Sequence, residues 1–417
     1  MKGVKGSDSR DTQNLIIWLC LFVYSMAYFG RYSFSSSINS LIENYGVSKA
    51  ETGLVMTFFF VSYGVGQVIN GIFCRHYPPR YIFPMALTGS AAINLLLFAF
   101  IETGYIADYF YLVKYIWLLN GIAQSFLWTS IIFILGKNIE KSNVPKAGLV
   151  IGMSVPGGTF LAYSVSSLFA HYKIFEYSFV LAAVMMLIAA FTWMFLFSPH
   201  KRQNETEEQE SKAEEQPGAK HKISRLAAFT FAGLAVFAVS NNFVKDGLHT
   251  WIPTILKEMY NFKNSASLIL ATAIYVLGVF GAVAVKKANA KIKNLVSLAI
   301  VFFTAMAIFI GFITAFLNVS SIPVILFFTL VMITSYGLNN IVTSLGPLDL
   351  RSEINPGVAA GLLDGFCYVG SALSTYVLGV IADNYKWHAV LLTVLFIVLL
   401  ATAVASTLRI LSKRKQQ

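Results

Sequence analysis

The chain has 417 residues, 56% of them hydrophobic and only 12% charged, with a formal net charge of +11 and a mean hydropathy of +0.66. Soluble domains carry about a quarter charged residues, so the composition excludes an ordinary water-soluble fold and predicts an integral membrane protein. No Lys/Arg cluster with interleaved aromatics lies on a soluble module, which argues against nucleic acid as a partner and reads the basicity as topological.

Apolar runs of roughly 20 residues, long enough to cross about 30 Å of hydrocarbon, recur along the chain. Twelve spans are expected, over 14–42, 52–74, 81–101, 110–135, 147–170, 177–197, 226–248, 267–285, 295–317, 322–343, 358–381 and 389–411. The first is too long for a signal-peptide core and is expected to stay as a helix. It carries Arg31 in its middle, and Tyr24, Tyr28, Arg31 and Ser35 are spaced to share one helical face, a row of hydrogen-bond donors. In the second and fourth spans Tyr63 with Gln67 and Gln124 with Trp128 stand at i and i+4, as do Tyr336 and Asn340 in the tenth. Each such pair reads either as interhelical hydrogen bonding or packing, or as the lining of a cavity. The run 156-PGG-158 in the fifth span reads as a kink and close-packing site, and as a place where the helix can flex.

The only long polar segment, 199–225, has the composition of a disordered linker and divides the spans six and six. The expected domains are 1–198 and 226–417, joined by 199–225. In the seventh span Asn241, Lys245 and His249 repeat at spacings of four, and Asp364 is the one acid in the middle of a late span. Around the first helix of each half, 28-YFGRYSF-34 lies opposite 242-NFVKDGL-248, which sets Arg31 against Lys245. Near the end of each half, 170-AHYKIF-175 lies opposite 382-ADNYKW-387 at an offset within two residues of the first, an internal repeat of the kind found in transporters.

Most of the 31 Lys and Arg fall at the N-terminus, the C-terminus and the loops after even-numbered spans. The loops opposite hold only Lys49, Lys114, Lys173, Lys257, Lys263 and Lys386. Both termini are therefore expected in the cytoplasm, with the protein in a plasma or bacterial inner membrane. The three cysteines, Cys20, Cys74 and Cys367, are far apart and show no metal-ligand spacing, so they read as inert packing residues.

A charged side chain at the bilayer centre costs roughly 2.5 to 3.5 kcal/mol on insertion scales, so it needs a partner, water or a function. Arg31 and Lys245, on equivalent helices of a duplicated fold, are expected to face each other across one central site. Two fixed cations with phenol and amide donors suit a small, multiply charged anion, above all a phosphate: arginine supplies a planar fork and lysine a compact point charge. The alternative is that each cation satisfies helix carbonyls or a buried acid and only holds the bundle together. Asp364 is expected to pair with Lys245 when the site is empty, ahead of carrying a coupling proton or neutralising a cation for packing. Asp246 adjoins Lys245 but projects about 100° away around the helix, so adjacency alone is no evidence of pairing.

These residues resemble the organophosphate:phosphate antiporters of the major facilitator superfamily, which include bacterial glycerol-3-phosphate and hexose-phosphate carriers and the glucose-6-phosphate transporter of the endoplasmic reticulum. The resemblance covers most of the chain and is most specific in 24-YSMAYFGRYSF-34, 63-YGVGQ-67, 124-QSFLW-128, 244-VKDGLHTWIPTILKE-258 and 357-GVAAGLLDGFCYVGS-371. It implies twelve helices in two pseudo-symmetric halves, and a phosphate site lined by Tyr24, Tyr28, Arg31, Tyr63, Trp128, Lys245 and Tyr368. The chain departs from the family at four places. Lys245 stands where bacterial carriers have a second arginine, Gln67 where the family has lysine, Met153 where bacterial members have histidine, and Arg75 where the superfamily carries aspartate.

The expected function is exchange of an organophosphate for inorganic phosphate by alternating access. The other readings are a proton-coupled symporter of another small anion, with Asp364 as the proton site, and a membrane sensor that binds the organophosphate. No nucleophile-base arrangement, phosphate-cradling glycine loop or metal cluster points to an enzyme, and no cofactor is expected. The expected partners are a small anionic substrate and the lipid bilayer, with the protein a monomer.

Overall fold

The computed structural model describes residues 4–73, 78–140, 143–197, 224–350, 353–354 and 356–414. Of the expectations above, Cys74, Arg75 and nearly all of the linker 199–225 lie outside the described residues. Every regular element among the described residues is helical.

The membrane-crossing helices are α1 Val4–Tyr45, α2 Lys49–Phe73, α3 Pro79–Glu102, α4 Val113–Asn138, α5 in two pieces Val144–Gly152 and Ser154–His171, and α6 Tyr177–Leu196. They continue as α7 Arg225–Tyr260, α8 in two pieces Asn264–Leu277 and Phe280–Lys291, α9 Leu295–Phe316 and α10 Ser321–Asn340. Eleven described helices are long and apolar enough to cross a membrane, and the last, Val358–Ile410, holds two. Lys386 (φ 64°, ψ 177°) leaves helical geometry and divides that stretch into α11 (356–385) and α12 (387–414). The twelve expected spans are all present, and the differences are at their ends and breaks. Helices α1 and α7 run 42 and 36 residues, well past the predicted limits, because polar residues that end a hydrophobic run do not end a helix.

The break in α5 falls at Met153, three residues before Pro156. Proline lacks the N–H that would bond to the carbonyl of Gly152 four residues back, and its ring crowds that carbonyl. Gly158 serves the second expected role: a Cβ there would come within 2.3 Å of Tyr28 Cβ, so α5 lies directly on α1. Local chemistry sets other ends. Ser224 Oγ accepts from the Ala227 N–H at the start of α7 and Asn294 caps α9 through the Ser297 N–H, each answering one of the free amides of a first turn.

The repeat shows in the backbone. Among the described residues, left-handed φ angles occur at Gly46 and Asn261, after α1 and α7, at Lys173 and Lys386, after α5 and α11, and at Gly104 after α3, which has no such counterpart. Each pair is separated by the Arg31 to Lys245 offset within a residue. The same C-terminal turn geometry at equivalent helices is what a duplicated six-helix unit produces.

Among the described residues, the two six-helix units meet through ion pairs and backbone contacts at the end opposite the chain termini. Lys49 at the start of α2 reaches Glu258 at 3.0 Å and Asp383 at 3.8 Å, and Lys257 reaches Glu43 at 2.6 Å. The Asp383 carboxylate accepts from the backbone N–H of Lys49 (3.2 Å) and of Ala50 (2.8 Å), so a residue of α11 caps the N-terminus of α2. Asn39 donates to Asn264 at 3.0 Å, and Asn264 in turn donates to Ser40 at 2.9 Å. Below these, α2 and α11 touch backbone to backbone: a Cβ on Gly53 would sit 2.3 Å from the Thr375 oxygen, and one on Gly379 would sit 2.6 Å from the Lys49 oxygen. Small residues permit this close approach of membrane helices. Toward the termini, by contrast, Gln13 bonds with Glu140 and Asn143 within the first unit, and Ser224 with Glu353 within the second.

Candidate functional site

Arg31 lies midway along α1 and is 2% exposed. Its guanidinium carbon stands 4.2 Å from the ring centre of Tyr63, 4.4 Å from that of Tyr28 and 5.1 Å from that of Phe59. Cation–π contacts of this kind contribute about 0.5–2 kcal/mol each, which offsets part of the cost of burying the charge. Nε donates to Gln124 Oε1 of α4 at 3.2 Å. That amide is itself held, since Gln124 Nε2 donates to Ser90 Oγ at 3.0 Å and to Asn120 Oδ1 at 3.3 Å. The oxygen must therefore face Arg31, and the guanidinium is pinned by one edge. Its Nη2 is buried without a hydrogen-bond partner, and among the described residues no acid pairs with Arg31. A buried donor left unsatisfied costs about 1–3 kcal/mol, more when charged, so the other edge of the fork is poised for an acceptor.

Phenols surround it. Tyr24 Oη lies 3.5 Å from Tyr28 Oη and 3.3 Å from Tyr63 Oη, and Gln67 Nε2 donates to Tyr63 Oη at 2.9 Å. The Tyr24 ring stacks on Trp128 of α4 at 5.5 Å, and the Tyr63 ring lies 4.8 Å from that of Tyr368 in α11. Gly64 makes room for that last contact, since a Cβ there would be 2.9 Å from Tyr368 Cβ. The sequence-predicted residues Tyr24, Tyr28, Arg31, Tyr63, Gln67, Trp128 and Tyr368 thus form one connected cluster from α1, α2, α4 and α11.

Lys245 enters from α7. Arg31 stands against the Tyr28 ring, and the charge of Lys245 is also felt at that phenol. The expected Lys245–Asp364 ion pair is not formed. Lys245 Nζ lies 3.6 Å from Asp246 Oδ1, the carboxylate of its own neighbour, whose other oxygen accepts a hydrogen bond from Ser371 of α11. A lysine stem of four methylenes spans the 100° that separates adjacent helical positions. The site is therefore asymmetric, with one cation bare and the other partly neutralised.

Other residues emerge from the contacts. His249, one turn beyond Lys245, stacks between Tyr32 (4.5 Å) and Tyr275 (3.9 Å). Tyr163 Oη lies 3.4 Å from its Nδ1, and its Nε2 is buried without a partner. The spacing of four along α7 flagged His249. Nothing local in the sequence marked Tyr163 and Tyr275, whose hydroxyls both donate to the His249 backbone oxygen, at 3.2 and 2.7 Å. Met153, in the position where the resemblance places a histidine, is exposed and outside this cluster.

Comparison with known proteins agrees with this architecture. The family model of the Major Facilitator Superfamily matches residues 20–375. The glycerol-3-phosphate transporter of Bacillus subtilis is 24% identical over 394 residues, covering 90% of this chain and 87% of the relative. Sugar phosphate exchanger 3 of Mus musculus is 23% identical over 384 residues, covering 80% and 75%. The membrane sensor protein UhpC of Escherichia coli is 33% identical over 82 residues, a match that spans 20% of this chain and 18% of the sensor. Among solved structures, the D-xylose-proton symporter superimposes with a TM-score of 0.77 at 13% identity, covering 94% of this chain and 96% of the symporter. A bacterial homolog of the human lysosomal transporter Spinster, inward-facing and occupied, gives a TM-score of 0.74 at 13% identity, covering 94% and 96%. With twelve helices in two repeated units and a family match over most of its length, the chain belongs to the major facilitator superfamily of membrane transporters.

Proposed function

We propose that this protein is a secondary carrier that exchanges an organophosphate of the sugar-phosphate or glycerol-phosphate class for inorganic phosphate by alternating access. The observation that carries the reading is Arg31: buried, with no acid paired to it among the described residues, ringed by phenols, and with one nitrogen of its fork unpartnered. A guanidinium so placed binds two oxygens of a phosphate in plane. Lys245 supplies the second positive charge, leaving Asp246 for the anion. The names of the curated relatives, two of them phosphate-ester carriers, support the same class. Exchange follows from charge: closing the units around a bare Arg31 in low dielectric is unfavourable, and an anion removes that barrier in either direction.

The units that rock about the site are 1–198 and 226–417, joined through 199–225. Both termini lie in the cytoplasm, and the interface of Lys49, Glu258 and Asp383 then seals the outer side. The substrate is a small anion taken from either side of the bilayer, and a monomer suffices for the cycle.

The test is uptake of radiolabelled phosphate by proteoliposomes preloaded with unlabelled phosphate, competed by glycerol phosphate, hexose phosphates, phosphoglycerates and simple carboxylates. Fast counterflow blocked by one organophosphate is the expected result. No counterflow under any loading contradicts the exchange reading and turns attention to a proton-coupled symporter or a sensor.

A further inference from the structure

Asp364 is a second acid beside Asp246, and among the described residues nothing in the resting site uses it. On α11, Leu362, Phe366, Val369 and Leu373 are exposed and form the stripe that meets lipid. Asp364 is two residues from both Leu362 and Phe366, about 200° around the helix from each at 3.6 residues per turn. Its side chain therefore points away from lipid, on the face that carries Tyr368 one turn further along. It is half-buried and within electrostatic reach of Lys245 and of Arg31. Among the described residues no hydrogen bond or ion pair ends on its carboxylate, because Lys245 is paired with Asp246 and Ser371 also donates to Asp246. The α7–α11 polar contact is complete without it.

An ionised carboxylate only accepts hydrogen bonds, as do the oxygens of an ionised phosphate. An acid beside a phosphate site therefore opposes a fully ionised phosphate ester unless the rest of the cargo brings a donor, whereas inorganic phosphate at neutral pH still carries a P–OH of its own. We infer that the Asp364 carboxylate receives a hydrogen-bond donor on the organic part of the substrate, a hydroxyl or an ammonium group, while Arg31 holds the phosphate. The unpartnered Arg31 Nη2 and the unpartnered carboxylate are the two ends of one binding requirement. Asp364 is then a specificity residue: it distinguishes a donor-bearing organophosphate from a plain alkyl phosphate, while Arg31 and Lys245 hold the phosphate group of either cargo. This assignment rests on the reading of the site as an organophosphate site.

The experiment compares three competitors of equal phosphate charge: glycerol phosphate, which carries hydroxyls, aminoethyl phosphate, which carries an ammonium, and propyl phosphate, which carries neither. Each is titrated against labelled phosphate counterflow in wild type, Asp364→Ala and Asp364→Asn, and its ability to raise the melting temperature of the purified protein is read in parallel. In wild type at least one donor-bearing compound is expected to compete about tenfold to hundredfold better than propyl phosphate, the usual strength of a hydrogen bond to a charged group. Which compound wins tells hydroxyl from ammonium. In Asp364→Ala phosphate counterflow is expected to persist while that advantage disappears. The inference is overturned if wild type does not discriminate, if the alanine variant keeps the discrimination, or if both variants, though folded, lose phosphate counterflow itself. If wild type shows no counterflow, the exchange reading fails separately. The melting shifts then still decide, since an Asp364-dependent preference for a donor-bearing compound upholds the assignment and its absence removes it.

Discussion

Lys245 lies 3.6 Å from the carboxylate of Asp246, the residue that follows it in the chain, and not against Asp364 on the facing helix. The pair makes opposite predictions for its two members. Lys245→Ala removes a charge-assisted contact to the anion worth about 1.5–3 kcal/mol, so phosphate binding is expected to weaken about tenfold to hundredfold. Asp246→Asn releases Lys245 and is expected to bind phosphate at least as tightly as wild type. Titration of both purified variants checks this; equal losses in the two would mark the pair as a packing device.

Gln124 fixes the orientation of Arg31 through a 3.2 Å hydrogen bond and is itself locked by Ser90 and Asn120. Gln124→Leu removes an ordering contact of about 1 kcal/mol and is expected to raise the phosphate concentration for half-maximal counterflow about fivefold, with the maximal rate little changed. Arg31→Lys keeps the charge but loses the planar fork, and its counterflow is expected to fall at least tenfold. A lysine variant that exchanges phosphate normally would show that the fork is not used.

The cap that Asp383 places on α2 exists only while the end opposite the termini is closed. Removing an N-terminal cap costs about 1 kcal/mol, so in Asp383→Ala the amides of Lys49 and Ala50 are expected to exchange with deuterium about fivefold faster. Unchanged exchange would mean that the seal is held by the α2–α11 backbone contact alone.

That contact has its own test. Gly379→Leu drives a side chain into the Lys49 carbonyl, which is backbone and cannot yield. The variant is expected to bind phosphate and fail to exchange it, because the units cannot close at that end. Counterflow at the wild-type rate would contradict the role given to the α2–α11 crossing.

Acid should loosen one tether outside the membrane. Ser224 donates to Glu353 from its backbone N–H at 2.7 Å and from its hydroxyl at 2.9 Å, and these bonds hold the Glu353 carboxyl below its ordinary range. A carboxyl depressed in the folded state contributes stability above its unfolded pKa and loses it as pH falls through the lower, folded value. The melting temperatures of wild type and Glu353→Gln are therefore expected to differ slightly at neutral pH and to converge in acid. Curves that stay parallel down to acid pH would remove the tether.

Much of this was legible in the sequence, for physical reasons that also mark the limit. Hydrophobic length reports membrane spans directly, and a cation in mid-span is so costly that Arg31 and Lys245 declare themselves. Phenols at helical spacing from Arg31 in α1 end up on its face because α1 is one continuous helix. Adjacency alone did not disclose the Lys245–Asp246 contact, because helical angle ignores the reach of a lysine stem, and the Gln124–Trp128 spacing left packing and cavity lining open until the Gln124 amide was seen locked by Ser90 and Asn120. The contact between the units was beyond reach: Lys49 and Asp383 are neighbours only once both units are folded. The α5 break was expected near its proline but lies three residues earlier, at Met153, next to the Gly152 carbonyl that loses its partner.

The most direct measurement is equilibrium binding of labelled phosphate to the purified protein, wild type against Arg31→Ala. Saturable binding in wild type that weakens by about tenfold to hundredfold in a variant of unchanged monodispersity is the expected result. Equal phosphate binding by the two proteins would contradict the assignment of Arg31 as the residue that holds the anion.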